Sequence, residues 1–191
     1  MNEALSGQIN TLFGVTRNEL DLIGNRFKPM RLLKNEFLLK AAQCSNHLCF
    51  IQSGLLRLYV TVETREVTQW IGTPGHFLTD LSAFLFRVPA RWNIQALTDT
   101  ELFCISFDEY RNLGKELPRW HEIEKGFIAR CFIQLEDRVF QHLHMSAEER
   151  YRQLFASNPE LFNQVSLQYL ASMLGMTPET LSRLRKKSSG I

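Results

Sequence analysis

The stretch VSLQYLASMLGMTPETLSRLRKK, residues 165–187, decides the fold of the C-terminal third of this chain. Ser166 stands where an N-cap hydroxyl accepts a backbone N–H, and Leu170, Ala171 and Leu174 follow at helical spacing as one apolar face. Ala171 is small enough to let a second helix approach. Gly175 sits where the first helix must stop in a left-handed residue, a conformation glycine adopts without steric cost. Thr177 then caps a second helix, Pro178 suits its first turn, and Leu181 and Leu184 point inward. Two short helices joined by a tight turn, a helix-turn-helix, are therefore expected.

The second helix carries the chemistry. Its outward positions Glu179, Ser182, Arg183 and Lys186 are polar and net basic, and Arg185 and Lys187 add positive charge nearby. Arg183 can fork onto O6 and N7 of guanine and Glu179 can accept from cytosine N4, each pair discriminating by roughly 1–3 kcal/mol. Thr180, Ser182, Lys186 and Lys187, with Ser166 at the head of the first helix, are cast as phosphate contacts, which fix register and make binding fall with salt. A helical hairpin whose charges merely solvate a surface is the alternative.

Upstream, Pro118 suits the first turn of a long helix that meets no further proline before His144. Its apolar residues, Trp120, Ile123, Phe127, Ile128, Cys131, Phe132, Leu135, Val139, Phe140 and Leu143, spread wider than one narrow stripe. A second copy on one side and a β domain on the other would cover them; one broad buried face is the alternative. Between Met30 and Phe107 the period falls to two, with Leu56, Leu58, Val60 and Val62 facing one way and Arg57, Tyr59, Thr61 and Glu63 the other. Further strands are expected at Glu36–Leu39, Leu48–Ile51, Val67–Ile71, Trp92–Leu97 and Leu102–Phe107, separated by turn formers, which suggests a sandwich or jelly roll. Capping boxes of the form S/T-x-x-E mark three helix starts, Thr16 to Glu19, Ser106 to Glu109 and Ser146 to Glu149. The first of these helices is expected to run to about Phe27, before Pro29.

In this order of parts the chain resembles the Crp/Fnr regulators, the family of the cyclic-AMP receptor protein. The residues that carry the likeness are Phe50 to Tyr59 (FIQSGLLRLY), Gly75 to Phe84 (GHFLTDLSAF) and Gln168 to Arg185. The resemblance implies an α+β chain with an N-terminal cyclic-nucleotide-binding-type β-roll (jelly roll) over residues 1–117. A central dimerisation helix over 118–145 and a helix-turn-helix DNA-binding domain over 146–191 would follow. It also implies Glu179 and Arg183 at base-contacting positions. Cyclic-nucleotide binders of the family place a Glu for the ribose and, ten residues on, an Arg followed by Ser or Thr for the phosphate. Here those positions hold Asp80, Ala90 and Arg91. Loss of the phosphate-pairing Arg removes a charge-assisted contact of about 1.5–3 kcal/mol unless Arg91 substitutes through a one-residue shift. Asp80, Ser82, Arg91, Trp92 and Asn93 are the candidate effector-pocket residues, and cyclic-AMP control is not expected. The short segment from Asn158 to Val165 leaves little room for the family's β wing, so a reduced wing is expected.

Composition narrows the alternatives without choosing among them. Lys and Arg total 22 against 20 acidic residues in 191, so overall charge says nothing about a polyanionic partner. The N-terminus lacks the charged and apolar regions of a secretion signal and no stretch approaches a spanning helix, so a cytoplasmic chain with no membrane partner is expected. Cys44, Cys49, Cys104 and Cys131 form no C-x-x-C pair and are expected as reduced thiols, with Cys131 of the long helix in buried packing and a cross-link across a dimer axis as its alternative. No metal and no cofactor are expected; His76 stands alone, and His142 and His144 are two apart on a helix and so do not share a face. Walker, G-x-S-x-G, H-E-x-x-H and dinucleotide patterns are absent, which argues against an enzyme. The expected function is that of a homodimeric regulator of transcription. Its partners would be double-stranded DNA, RNA polymerase and an unidentified small-molecule effector. The competing function is a ligand-binding or protein-interaction module that has lost DNA reading.

Overall fold

The computed structural model describes residues 2–188; the end of the chain at 189–191 lies outside them. Packing divides the chain into two units, residues 2–58 with 71–132, and residues 59–70 with 133–188.

The first unit opens with α1 (Glu3–Phe13) and α2 (Arg17–Gly24) and continues through β1 (Lys28–Leu32), β2 (Phe37–Leu39), β3 (His47–Ser53), β4 (Leu56–Val62), β5 (Arg65–Gly72) and β6 (Phe77–Leu78). It ends in α3 (Leu81–Phe86), β7 (Asn93–Ala96), β8 (Thr100–Ser106), α4 (Phe107–Glu116) and the first half of α5 (Trp120–His144), while residues 59–70 of β4 and β5 belong to the second unit. The strands build two four-stranded sheets, in the orders β1-β8-β3-β6 and β2-β7-β4-β5. This is a jelly-roll-like arrangement, as the alternating pattern predicts.

The core of this unit lies where the helices meet the first sheet. Leu5, Ile9 and Phe13, spaced by four along α1, join Leu48 and Phe50 of β3, Ile105 of β8 and Trp120, Ile123 and Phe127 of α5 in one buried cluster. Phe13 stacks on Phe127 at 4.5 Å and meets Phe77 edge-on at 5.9 Å. Aromatic pairs of this kind contribute about 0.5–1.5 kcal/mol beyond their buried area. Because side chains alternate along a strand, Cys49 and Ile51 must face the opposite side of β3 from Leu48 and Phe50.

Several local expectations are revised. Helix α2 stops at Gly24, short of Phe27, and Pro29 lies inside β1. That strand is at a sheet edge, where a missing N–H costs no ladder bond. Thr16–Glu19 and Ser146–Glu149 form the expected capping boxes. Ser106 caps α4, but Glu109 turns away from the cap to pair with Arg26 at 2.6 Å. Arg57, expected to face outward, is only 1% exposed, because β4 is covered on both faces at its start. Val62, expected inward, is 45% exposed at the hairpin tip.

The reduced-thiol expectation fails for two of the four cysteines: Cys49 and Cys104 are joined in a disulfide. They are directly opposed in the antiparallel β3–β8 register, with Cα atoms 4.0 Å apart. Such facing pairs bring side chains closest in a sheet. Cys44 and Cys131 are free, and burial pushes the Cys131 thiol up from its usual pKa.

The second unit holds the rest of α5, then α6 (Ala147–Ser157), α7 (Leu161–Gln164), α8 (Leu167–Met173) and α9 (Pro178–Ser188), together with the end of the β4–β5 hairpin. Among the described residues after 133 there is no strand. Tyr151, Phe155 and Phe162 pack ring to ring at 5.4–5.9 Å; Tyr151 and Phe162 are buried, as are Leu161, Val165, Leu170, Ala171 and Leu181, while Phe155 is 44% exposed.

The bridge closes a loop of sequence separation 55, which in the chain-entropy account stabilises the fold by about 4 kcal/mol. Urea unfolding with and without dithiothreitol is expected to differ by roughly 2–4 kcal/mol. An unchanged midpoint, with both thiols free to alkylation in the untreated unfolded protein, would remove the bridge.

Candidate nucleic-acid interface and effector pocket

Helices α8 and α9 are joined by a turn whose hydrogen bonds follow from one residue. Gly175 adopts φ +66°, the Gly175 N–H donates to the Ser172 carbonyl at 3.1 Å, and the Met176 N–H donates to the Ala171 carbonyl at 3.0 Å. This is a Schellman closure, and it satisfies carbonyls that the end of α8 would otherwise orphan. Ser166 caps α8 through Tyr169 N–H, and Thr177 accepts from Thr180 N–H at 3.3 Å at the head of α9. Leu181 is fully buried, whereas Leu184, expected inward, is only half-buried.

Glu179 and Arg183, four apart on α9, are both exposed. They form one lane on the helix surface. The Glu179 carboxyl is held below its ordinary pKa by its own backbone N–H, by the Thr177 hydroxyl and by Arg183. Arg183 Nη2 donates to Thr180 Oγ1 at 3.4 Å, so Thr180 braces the guanidinium. Lys186 is exposed and Ser182 half-exposed on the same helix. Lys187 is engaged: its Nζ lies 3.3 Å from Glu148 of α6. The Ser166 oxygen accepts the Tyr169 N–H as the cap of α8, which leaves the hydroxyl proton to donate elsewhere.

Asp80 is 3% exposed and its carboxylate serves as a local anchor. Oδ1 accepts from Ser82 Oγ at 2.9 Å and Ala83 N–H at 3.1 Å, capping α3. Oδ2 accepts from the backbone N–H groups of Arg91 at 2.9 Å and Trp92 at 3.4 Å. One buried carboxylate thus ties residues 80–83 to 91–92, and brings Asp80, Ser82, Arg91 and Trp92 together. Asn93 is turned away, its Oδ1 accepting from Ala41 N–H at 3.0 Å. Ala90 is 4% exposed and bonded through its backbone to Gln43 and Ala42. The Arg91 guanidinium is exposed, 5.8 Å from the Trp92 ring centre.

Some residues at these sites carry no local sequence signal. Arg87, in a left-handed conformation at φ +56°, donates to the Ser45 carbonyl and to Asn46 Oδ1 at 2.7 Å and lies over the Phe107 ring. Arg138 and Arg150 point at the last carbonyls of α8. Their partners are 24 to 35 residues away in the chain, beyond the reach of any helical or strand period. The histidines behave as separate residues: His76 Nδ1 lies 3.1 Å from Thr73, and His142 and His144 Nδ1 lie 3.0 and 2.6 Å from carbonyls one turn back. Among the described residues no three of His, Cys, Asp and Glu form a metal-holding group, and no helix is long and apolar enough to cross a membrane.

Residues 29–116 match the family model described as the cyclic nucleotide-binding domain. No curated protein matches the chain in sequence. Solved structures resemble it along most of its length. FixK2 from Bradyrhizobium japonicum has 18% identity, covers 86% of each chain and superposes with a TM-score of 0.72. The c-di-GMP responsive global regulator CLP of Xanthomonas campestris has 16% identity, 92% of each chain and a TM-score of 0.66. For the catabolite activator protein of Thermus thermophilus the values are 21% identity, 96% of this chain and 87% of that one, and 0.57. At these identities the likeness speaks for the fold. Residues 29–116 are therefore similar to the cyclic nucleotide-binding domain, in a chain that shares its fold with the catabolite activator protein, CLP and FixK2.

Proposed function

We propose that this chain is a dimeric, sequence-specific DNA-binding regulator of transcription, of the Crp/Fnr type, not controlled by cyclic AMP. The observation that carries the proposal is the exposed Glu179–Arg183 lane on α9, a helix held at its head by a capped, left-handed turn. In this reading α8 and α9 form a helix-turn-helix, and α9 enters the major groove with its first turns against base edges. Arg183 reads guanine and Glu179 reads cytosine. Thr180, Ser182, Lys186 and Ser166 meet phosphates, and Lys187 does so by exchanging Glu148 for DNA, a cheap exchange because surface ion pairs contribute only about 0–1 kcal/mol.

The second half of α5 supplies the dimer. Phe132, Leu135, Val139 and Leu143 recur at steps of three, four and four, and are 59, 48, 52 and 79% exposed. That spacing sets the four on one face of the helix, where a second copy of α5 would cover them. Residues 1–117 then act as the sensor, 118–145 as the dimerisation helix and 146–191 as the reading head, in the cytoplasm, with RNA polymerase and an unidentified effector as further partners. No catalytic step is proposed.

Against cyclic-AMP control stand Ala90 at the position of the expected phosphate-pairing Arg and the commitment of Asp80 to four internal donors. The Xanthomonas regulator, described as responsive to c-di-GMP, illustrates that this fold does not dictate cyclic AMP. The second reading, a module that has lost DNA reading, is favoured by one feature, the lack of any strand among the described residues after 133.

Selection from a random duplex pool is expected to yield a near-palindrome with half-sites about 34 Å apart. On that duplex Arg183→Ala costs roughly 1–3 kcal/mol per half-site and relaxes specificity at one base pair in each, while Lys186→Ala weakens all duplexes alike and lowers the salt slope by about one per protomer. Wild-type protein that shows no preference for any duplex, or an Arg183→Ala variant that binds as well, would support the module reading. Val139→Glu, placed in the middle of that face of α5 at a side chain 52% exposed, is expected to leave a single chain in sedimentation. A variant that remained dimeric would move the interface elsewhere. Millimolar cyclic AMP is expected to leave the thermal midpoint unchanged, whereas a dose-dependent rise would restore the nucleotide as a ligand.

A further inference from the structure

Helix α8 is only seven residues long, yet three polar struts from outside it converge on its C-terminal half. From α6, Arg150 donates through Nε to the Leu174 carbonyl at 2.9 Å and through Nη1 to the Met145 carbonyl at 2.6 Å, bridging the end of α5 to the end of α8. From α5, Arg138 reaches the Met173 carbonyl through Nη2 at 3.5 Å while its guanidinium lies 4.9 Å from the centre of the Trp70 ring. From β5, the Thr68 N–H donates to Ser172 Oγ at 2.9 Å. All of these residues belong to the second unit.

The chemistry is unusual for cations. Neither Arg138 nor Arg150 forms an ion pair with a carboxylate among the described residues; both spend their charge on backbone carbonyls at a helix C-terminus, where the partial negative charge of the helix lies. Burial lowers the Arg138 pKa to about 10. A planar fork that holds two carbonyls at once constrains angle as well as distance, which an ammonium cannot do.

We infer that Arg138, Arg150 and Ser172 are positioning residues for DNA recognition, fixing the angle at which α8 hands the chain to α9. The inference rests on the DNA-reading function proposed above. The turn between the helices is closed by its own hydrogen bonds, so a tilt at the end of α8 passes into α9 undamped. Helix α9 has 11 residues, about 16 Å of length, over which a tilt of about 10° moves the far end by about 3 Å. A single half-site tolerates this by a small rotation of the whole protein. Two half-sites on one rigid duplex do not, so the struts act on spacing rather than on base chemistry.

The test uses the full chain with Arg150→Lys, Ser172→Ala and Arg183→Ala, against duplexes carrying one half-site, two half-sites, and two half-sites with the spacer changed by one base pair. Arg150→Lys and Ser172→Ala are each expected to bind the single half-site within about twofold of wild type, to lose about tenfold on the paired site, and to shift the preferred spacer. Alanine favours a helix more than serine does, so Ser172→Ala does not weaken α8 and decides the matter if Arg150→Lys fails to fold. Equal losses on single and paired sites would mark a merely structural role and overturn the inference. So would wild-type affinity and spacing in both variants while Arg183→Ala weakens binding and relaxes specificity, an outcome that leaves the DNA reading intact. A wild-type chain that binds no duplex would overturn both.

Discussion

Strand β3 pairs with β8 along its length and with β6 at one edge, and is buried on both faces. Leu48 and Phe50 look toward the helices, and Cys49 and Ile51 look the other way. The helical layer and the strand interior are therefore assembled on the same few residues. A slip of one residue in this pairing would exchange the two sets and set the disulfide partners against the wrong neighbours. The aromatic cluster of Phe13, Phe77, Trp120 and Phe127 depends on that register, because it is Phe50 that offers Phe77 a ring at 5.4 Å. Through Trp120, Ile123 and Phe127 the same cluster fixes the first half of α5.

Legibility in the sequence followed the length of the interactions. Where a residue's partner lies within one turn or one strand, as at the Thr16 and Ser146 capping boxes, Gly175 or Thr177, the local pattern suffices. Helix α1 belongs to this class, since Asn2 caps it, Leu5, Ile9 and Phe13 recur every four and Gly14 closes it in a left-handed turn; the signal was available. Strand β1 was not legible, because KPMRL at a sheet edge needs neither alternation nor a full set of N–H donors. β6 has two residues and α3 six, too few to show a period. The Cys49–Cys104 bridge and the Arg26–Glu109 pair link residues 55 and 83 apart, and only the assembled fold reveals them.

The two candidate sites differ in the same way. On α9 the outward lane is a property of helical spacing, so Glu179 and Arg183 were both identifiable and both exposed. Around Asp80 the resemblance to the Crp/Fnr family suggested a ligand pocket, whereas the carboxylate is occupied by Ser82, Ala83, Arg91 and Trp92. An acidic side chain surrounded by four donors is chemically equivalent to a bound anion supplied by the protein itself. Its neighbours are organised without any ligand, and an incoming one would first have to displace it.

The pair formed by Lys187 and Glu148 has a bearing on ion accounting at a nucleic-acid surface. A lysine that arrives unpaired at a phosphate frees a condensed cation from the duplex, and each such event steepens the dependence of affinity on salt. Lys187 brings its own counter-charge. If it turned to a phosphate, one cation would leave the duplex and Glu148 would take up one from solution, so the two exchanges would nearly cancel. The contribution of α9 to the salt slope counts only those of its cations that were solitary beforehand, and the number of basic residues on the helix is an upper bound on that contribution.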